Sequence, residues 1–280
     1  MKKIFAVFLI IITLFLFSSC IFDNKEKETL SDISRTTATE KPTVTITVPE
    51  GLTAVQIAEK LEKNGVCSKE AFMTEVQMEE KYAPLYKFLE GVNGENKAFF
   101  LEGYIFPVTY EFYKGESAET ALKRFLRNTE DKLTEEFYAR ADSLGYTMDE
   151  IITLASIVQS ECGYPEENKK VASVLHNRIS TSSYPTYGML QCDVTVNYIE
   201  NYIDKSPYIA EDTERFKELY NTYKCKGLPA GAICNPGLDC IKAALFPEVT
   251  DYYFFFTDKD WNYYYNESFE SHSKAYAELE

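Results

Sequence analysis

TMDEIITLASIVQSECG, residues 147–163, reads as an apolar helix that ends on an acid. Thr147 and Glu150, three apart, form a capping box at its start. Ile151, Leu154, Ala155 and Val158 then recur at helical spacing and define an apolar face. Gly163 and Pro165 stop the helix. At 100° per residue Glu161 projects between Leu154 and Ile157, on the edge of that face, so its charged form is partly desolvated. It also lies in the last turn, where the helix dipole is negative. Both effects raise a carboxyl pKa towards that of a general acid. A carboxylate that bends into solvent or pairs with Arg178 is the competing reading, and the helix alone leaves it open.

Around this helix the pattern is that of an α+β protein. Thr43 to Val48 alternates β-branched residues and reads as a strand. Thr53 then opens a helix with Val55, Ile57, Ala58 and Leu61 facing inward and Gly65 at its end, and Ser68 caps a second helix. Phe99 to Pro107 is a buried strand or loop interrupted by Glu102, a second acid in apolar surroundings. Ser117 to Gly145 shows two helices broken near Asn128 or Lys132. Lys169 to Ile179 is a further helix, and Met189 to Tyr198 a short loop-to-helix segment. In the Gly/Pro loop from Gly227 to Gly237, Asn235 is placed to cap a helix with Pro236 at its first position. Tyr252–Thr257 and Trp261–Tyr265 are the strands of an aromatic hairpin, and Ser268 opens a terminal helix.

The N-terminal residues are of another kind. Lys2 and Lys3, an apolar run from Ile4 to Phe17 and then Ser18, Ser19 and Cys20 have the form of an export signal, residues 1–19, with Cys20 as a candidate for acylation. An uncleaved signal anchor is the alternative, Phe17 being larger than usual at such a cleavage site. Either way the body is expected on the extracytoplasmic face of the cell membrane. Residues 20–42 are rich in Lys, Glu, Ser and Thr and read as a flexible tether with a reach of roughly 25 Å.

The formal charge of −15 argues against nucleic acid as a partner, since phosphate binding needs clustered Lys and Arg. The aromatic content is 15%, with 21 Tyr, enough for a substantial core and for an aromatic-lined cleft. Besides Cys20 the chain has Cys67, Cys162, Cys192, Cys225, Cys234 and Cys240, none at metal-ligand spacing, and only two His. No metal or other cofactor is expected.

LEGYIFPVTYEF (101–112), LASIVQSECG (154–163), VASVLHNRI (171–179), MLQCDVTVNY (189–198), YNTYKCKGLPAGAICNPGLDCIKAAL (220–245) and DYYFFFTDKD (251–260) occur in this order. Together they resemble the YceG-like family of endolytic murein transglycosylases, over roughly residues 43–280. GLTAVQIAEKLEKNGV (51–66), within the strand–helix–helix order, looks like a LysM-type glycan-binding module. A generic βαα packing unit fits the same pattern. The division implied is a LysM-like module at 43–92 and a mixed helical catalytic domain at 93–280.

The resemblance implies cleavage of the MurNAc–GlcNAc bond within peptidoglycan strands, leaving 1,6-anhydroMurNAc ends and limiting nascent strand length. Glu161 occupies the family's catalytic acid position. Glu102 matches an acid expected to stabilise developing positive charge or to place sugar hydroxyls. Gln191, Asp193 and Thr195, with Asn177 and Asn235, are expected to hydrogen-bond N-acetyl groups and the acid. The implied partners are glycan strands and, through the N-terminal anchor, the membrane; peptidoglycan synthesis enzymes are a further class it leaves open. The alternative from another class is a glycan-binding lipoprotein that has the fold without the catalysis.

Three departures stand out. Gln159 replaces a second Glu, so Glu161 is the only carboxylate of its segment. Val194 replaces a Pro. Cys162 and Cys192 replace residues that are commonly Thr, both beside proposed site residues, and a disulfide between them across the cleft is the expectation they raise.

Overall fold

A computed structural model describes residues 41–209 and 212–279. The export signal, Cys20 and nearly all of the tether lie outside the described residues.

β1 (Thr43–Thr47) leads into α1 (Ala54–Lys63), which Thr53 caps through its side chain while Gln56 returns a bond to the Thr53 amide. α2 (Lys69–Val76) starts at Ser68 as its sequence indicated, and a single turn, α3 (Glu79–Tyr82), follows. The strand that pairs with β1 is β2 (Thr109–Tyr113), antiparallel, with Thr43 opposite Tyr113 and Thr47 opposite Thr109. Strand, helix and helix therefore come in the expected order, but their sheet is completed from beyond residue 92. By its internal contacts Lys41–Glu280 forms one compact unit.

α4 (Ala118–Lys132) and α5 (Glu135–Leu144) are the two helices read from residues 117–145, with the break at Leu133 and Thr134. α6 (Met148–Glu161) carries the Thr147/Glu150 capping box. The sequence showed one apolar face on α6, whereas every residue from Ile151 to Val158 is buried. α7 (Asn168–Ser180) and α10 (Leu238–Leu245) pack against it. A helix enclosed all round places its own polar side chains inside, and these must find partners. Ser156 does so by donating to the Thr153 carbonyl at 2.7 Å and accepting from the Ile233 amide at 3.0 Å.

Phe99–Pro107 is a chain of turns rather than a strand, and Phe99 to Phe106 are all buried beside α6. Gly103 allows that approach. It has φ +94°, and a Cβ there would lie 2.6 Å from the Ala232 Cβ and 2.8 Å from the Ile152 Cγ2. α8 (Asp193–Tyr198) continues into a wider π turn, Ile199–Ile203, and α9 (Thr213–Tyr220) follows. The residue capping α10 is Gly237, not Asn235.

β3 (Phe254–Thr257) and β4 (Tyr263–Asn266) form the aromatic hairpin, and α11 (Phe269–Ala277) is capped by Ser268. Trp261 was read as the first residue of β4 but lies in the turn, at φ +65°. Among the described residues no helix is long and apolar enough to cross a membrane.

Candidate active site

Glu161 is the last residue of α6 and is half-buried. Burial raises its carboxyl pKa above the ordinary value, and the negative charge of Asp193 adds to the rise. The Arg178 guanidinium and a hydrogen bond from the Cys192 thiol act in the opposite sense. Arg178, on α7, is itself committed elsewhere. Its Nε donates to the Tyr253 carbonyl at 2.7 Å and another of its nitrogens to the Leu190 carbonyl. It therefore tempers Glu161 without closing an ion pair, and the burial effect wins.

The backbone end of α6 is held from the hairpin. The Tyr263 hydroxyl accepts from the Gly163 amide at 2.9 Å and donates to the Glu161 carbonyl at 3.3 Å. Helix ends leave such carbonyls unpaired, and this pair of bonds fixes the one that carries the acid. Gln159 is also occupied, its Oε1 accepting from the Gly237 amide at 2.9 Å.

The segment 189–195 supplies the facing wall. Gln191 has φ +55°, a conformation in which a non-glycine residue is uncommon, and its amide donates to the Thr222 carbonyl at 3.0 Å. Asp193 opens α8, is exposed, and accepts from the Tyr223 hydroxyl at 2.6 Å. Thr195 is fully buried; its hydroxyl lies 2.8 Å from the Cys192 carbonyl and 2.9 Å from the Thr222 hydroxyl. It shapes the bend that presents Cys192 and Asp193, both bonds of its hydroxyl being to protein groups.

Three other residues singled out from the sequence lie away from this wall or beneath it. Asn177 donates to the carbonyls of Thr250 at 2.8 Å and Tyr252 at 2.9 Å, fastening the approach to β3. Glu102, 1% exposed, accepts from the Ala54 amide at the start of α1, from the Tyr198 hydroxyl at 3.1 Å and from the Asn235 Nδ2 at 2.7 Å. Asn235, fully buried, also donates to the Leu52 carbonyl at 2.9 Å and accepts from the amides of Gly103 at 3.0 Å and Ile105 at 2.8 Å. Burial pushes the Glu102 carboxyl up to about 8 despite these donors. Glu102 and Asn235 thus make an internal knot that joins α1, the 101–106 turns and the 231–237 loop. Glu102, read from the sequence as stabilising positive charge or placing sugar hydroxyls, and Asn235, read as bonding N-acetyl groups and the acid, are both enclosed and bonded to protein groups.

The expected disulfide between Cys162 and Cys192 is not formed. All six cysteines of the described residues are free. Cys192 is 2% exposed with its thiol on Glu161, whereas the Cys162 thiol donates to the Tyr164 carbonyl at 3.1 Å. Thiol titration of the unreduced, denatured segment 41–280 is expected to count six, and a count of four would reinstate a bridge.

Tyr223 and Tyr263 are the site residues that sequence reasoning passed over. Tyr263 meets the acid's helix across about a hundred residues of chain, and the only sequence signal was the density of Tyr in the hairpin. Cys192 was noticed, but as half of a bridge.

A family model described as the YceG-like family matches residues 17–278. The endolytic murein transglycosylase of Streptococcus pneumoniae serotype 2 is 29% identical over 250 residues, 84% of this chain and 44% of its own length. That of Bacillus subtilis is 30% identical over 236 residues, 82% of this chain and 63% of its own length. The chain thus spans less than two thirds of either relative. The crystal structure of a yceG-like protein, lmo1499, from Listeria monocytogenes superposes with a TM-score of 0.68 at 28% identity, covering 82% of this chain and 75% of that one.

Proposed function

The chain belongs to the YceG-like family, and from that premise we propose that it is an endolytic murein transglycosylase with Glu161 as its single acid and base. The observation that carries this reading is a half-buried carboxyl, raised by burial and by Asp193, at the end of a rigidly enclosed helix.

The chemistry follows from those groups. Protonated Glu161 donates its proton to the glycosidic oxygen as the C1–O bond breaks, so the GlcNAc hydroxyl leaves neutral. Positive charge develops on C1 and the ring oxygen of MurNAc. Asp193, whose carboxylate already acts on Glu161, is the anion placed to stabilise it. Glu161, now ionised, takes the proton of the MurNAc C6 hydroxyl as O6 attacks C1, and the 1,6-anhydro ring closes. The nucleophile is internal, which removes the need for a second carboxylate to activate water. Gln159, standing where a second acid would be and bonded to Gly237, is consistent with that economy.

β1, α1 and α2 are proposed to hold glycan beside the site in the manner of a LysM-type module, supported by their order along the chain. Residues 1–19 are proposed as an export signal and Cys20 as a lipid anchor, which would put the enzyme on the outer face of the cell membrane near peptidoglycan synthesis enzymes.

Mass spectrometry of glycan strands digested in ¹⁸O water tests the proposal. Anhydro ends without solvent oxygen are the expected product. Reducing ends carrying ¹⁸O would make the protein a hydrolase, and uncut glycan that retains the protein would make it a binder.

A further inference from the structure

Beyond Tyr263 a groove runs between the chain leaving α6 and the β3–β4 turn, and the chemistry above does not use it. It has a volume of about 390 Å³ and is lined by Tyr164, Glu166, Glu167, Asp260, Trp261, Asn262 and Tyr263. That volume lies in the range of small-ligand clefts.

The rim is built rather than loose. Trp261 is the single Trp of the chain, 61% exposed and held at φ +65°. Bulky residues seldom adopt that conformation, so the surroundings must impose it. Asp258 does so: it accepts from the amides of Asp260 and Asn262, each at 2.9 Å, from the Asn262 Nδ2 at 2.9 Å and from the Tyr264 hydroxyl at 3.1 Å. The indole is thereby kept in solvent, where an isolated apolar group gains nothing. Tyr164, 42% exposed, stands on the segment that leaves α6.

An amphipathic ring beside carboxyl, amide and hydroxyl groups matches a pyranose, which has an apolar C–H face and a polar edge. A lipid chain or an apolar peptide would leave most of that lining unpaired. The groove also adjoins the end of the acid-bearing helix, because Tyr263 lines it while holding the Glu161 main-chain carbonyl and the Gly163 amide. We propose that this groove is a subsite for an uncharged N-acetylhexosamine ring of the glycan strand, next to the bond that is cleaved. The assignment rests on the reading of Glu161 as the acid. Glu166, Glu167 and Asp260 add discrimination, since they disfavour a muramic acid whose lactyl carboxylate is free.

The single indole makes the test direct. Glu161→Gln, which binds without turning over, is titrated with tri-N-acetylchitotriose while tryptophan fluorescence is read. A saturable change is expected, with a dissociation constant of order 1 mM, and Tyr164→Ala on the same background is expected to weaken it about tenfold. N-acetylmuramic acid is expected to bind at least about tenfold more weakly than N-acetylglucosamine. In the active enzyme Tyr164→Ala should raise KM and spare kcat. No response up to ~10 mM, while the wild type cleaves glycan, overturns the subsite. A response that Tyr164→Ala leaves unchanged, or equal binding of the two monosaccharides, also overturns it. A saturable response in a protein that cuts no glycan would instead leave the subsite standing and remove the catalytic reading.

Discussion

Glu161→Gln is expected to lower kcat/KM on glycan strands by about 10²–10⁴-fold and to leave the fold intact. The amide has nearly the shape of the carboxyl but has no acidic proton to give to the glycosidic oxygen and cannot take one from the C6 hydroxyl. Stability should not suffer. A carboxyl whose pKa is raised in the folded state is destabilising when ionised, and that penalty grows as pH rises from the unfolded value through the folded one. Removing the charge therefore leaves stability unchanged or higher at neutral pH. The same elevation sets the pH profile. The reaction needs the protonated acid, so kcat/KM should fall as pH rises through the raised pKa of Glu161. Asp193→Asn removes one of the causes of the rise and should move that falling limb to lower pH. Anhydro-product formation followed against pH in the three proteins checks both statements. A Glu161→Gln variant with near wild-type turnover, or a limb that Asp193→Asn does not move, would sink the assignment.

Asn235→Ala is expected to cost about 3–5 kcal/mol of folding stability. The Asn235 amide makes four hydrogen bonds in a fully buried place: two accepted from the amides of Gly103 and Ile105, two donated to the Leu52 carbonyl and the Glu102 carboxyl. Alanine deprives the Gly103 and Ile105 amides of their acceptor and takes one bond each from the Leu52 carbonyl and the Glu102 carboxyl, which have other donors, in a place without room for full hydration. The loss should appear as a lower urea midpoint at unchanged m value. A residue that contacted sugar would behave otherwise, raising KM while leaving the midpoint where it was. A midpoint shift worth less than ~0.5 kcal/mol would show that the knot contributes little.

Local signals carried the elements well. Thr53, Ser68, Thr147 and Ser268 each cap the helix that their spacing indicated, because capping is decided within four residues. The enclosure of α6 on all sides was less legible. Thr153 and Ser156 dilute the apolar pattern, and for Ser156 only its partners in the folded chain make it acceptable inside. Glu161 stood out from the helix alone, since its anomaly is local, but its role came from the ordered motifs and not from the helix. The partners of Glu102 and Asn235 were illegible for the converse reason: a polar residue in an apolar stretch looks the same whether it awaits a ligand or ties distant segments together. Only the partners distinguish the two, and for Asn235 they lie 130 to 183 residues away along the chain. Trp261 was set in a strand because aromatic residues favour strands, and the Asp258 turn overrode that preference.

The pairing of β1 with β2 also governs the order in which the protein can fold. Thr47 meets Thr109, so forming the sheet closes a loop of about 60 residues, against about six for a short connection, and costs roughly 2 kcal/mol more in chain entropy. α1 and α2 contact each other within a short stretch of chain and can dock early. The sheet, by contrast, needs β2 brought back across that loop, so its pairing is the slower, non-local step. A chain of which only the first strand and the two helices after it have been delivered carries a strand edge with no partner until Thr109–Tyr113 follows.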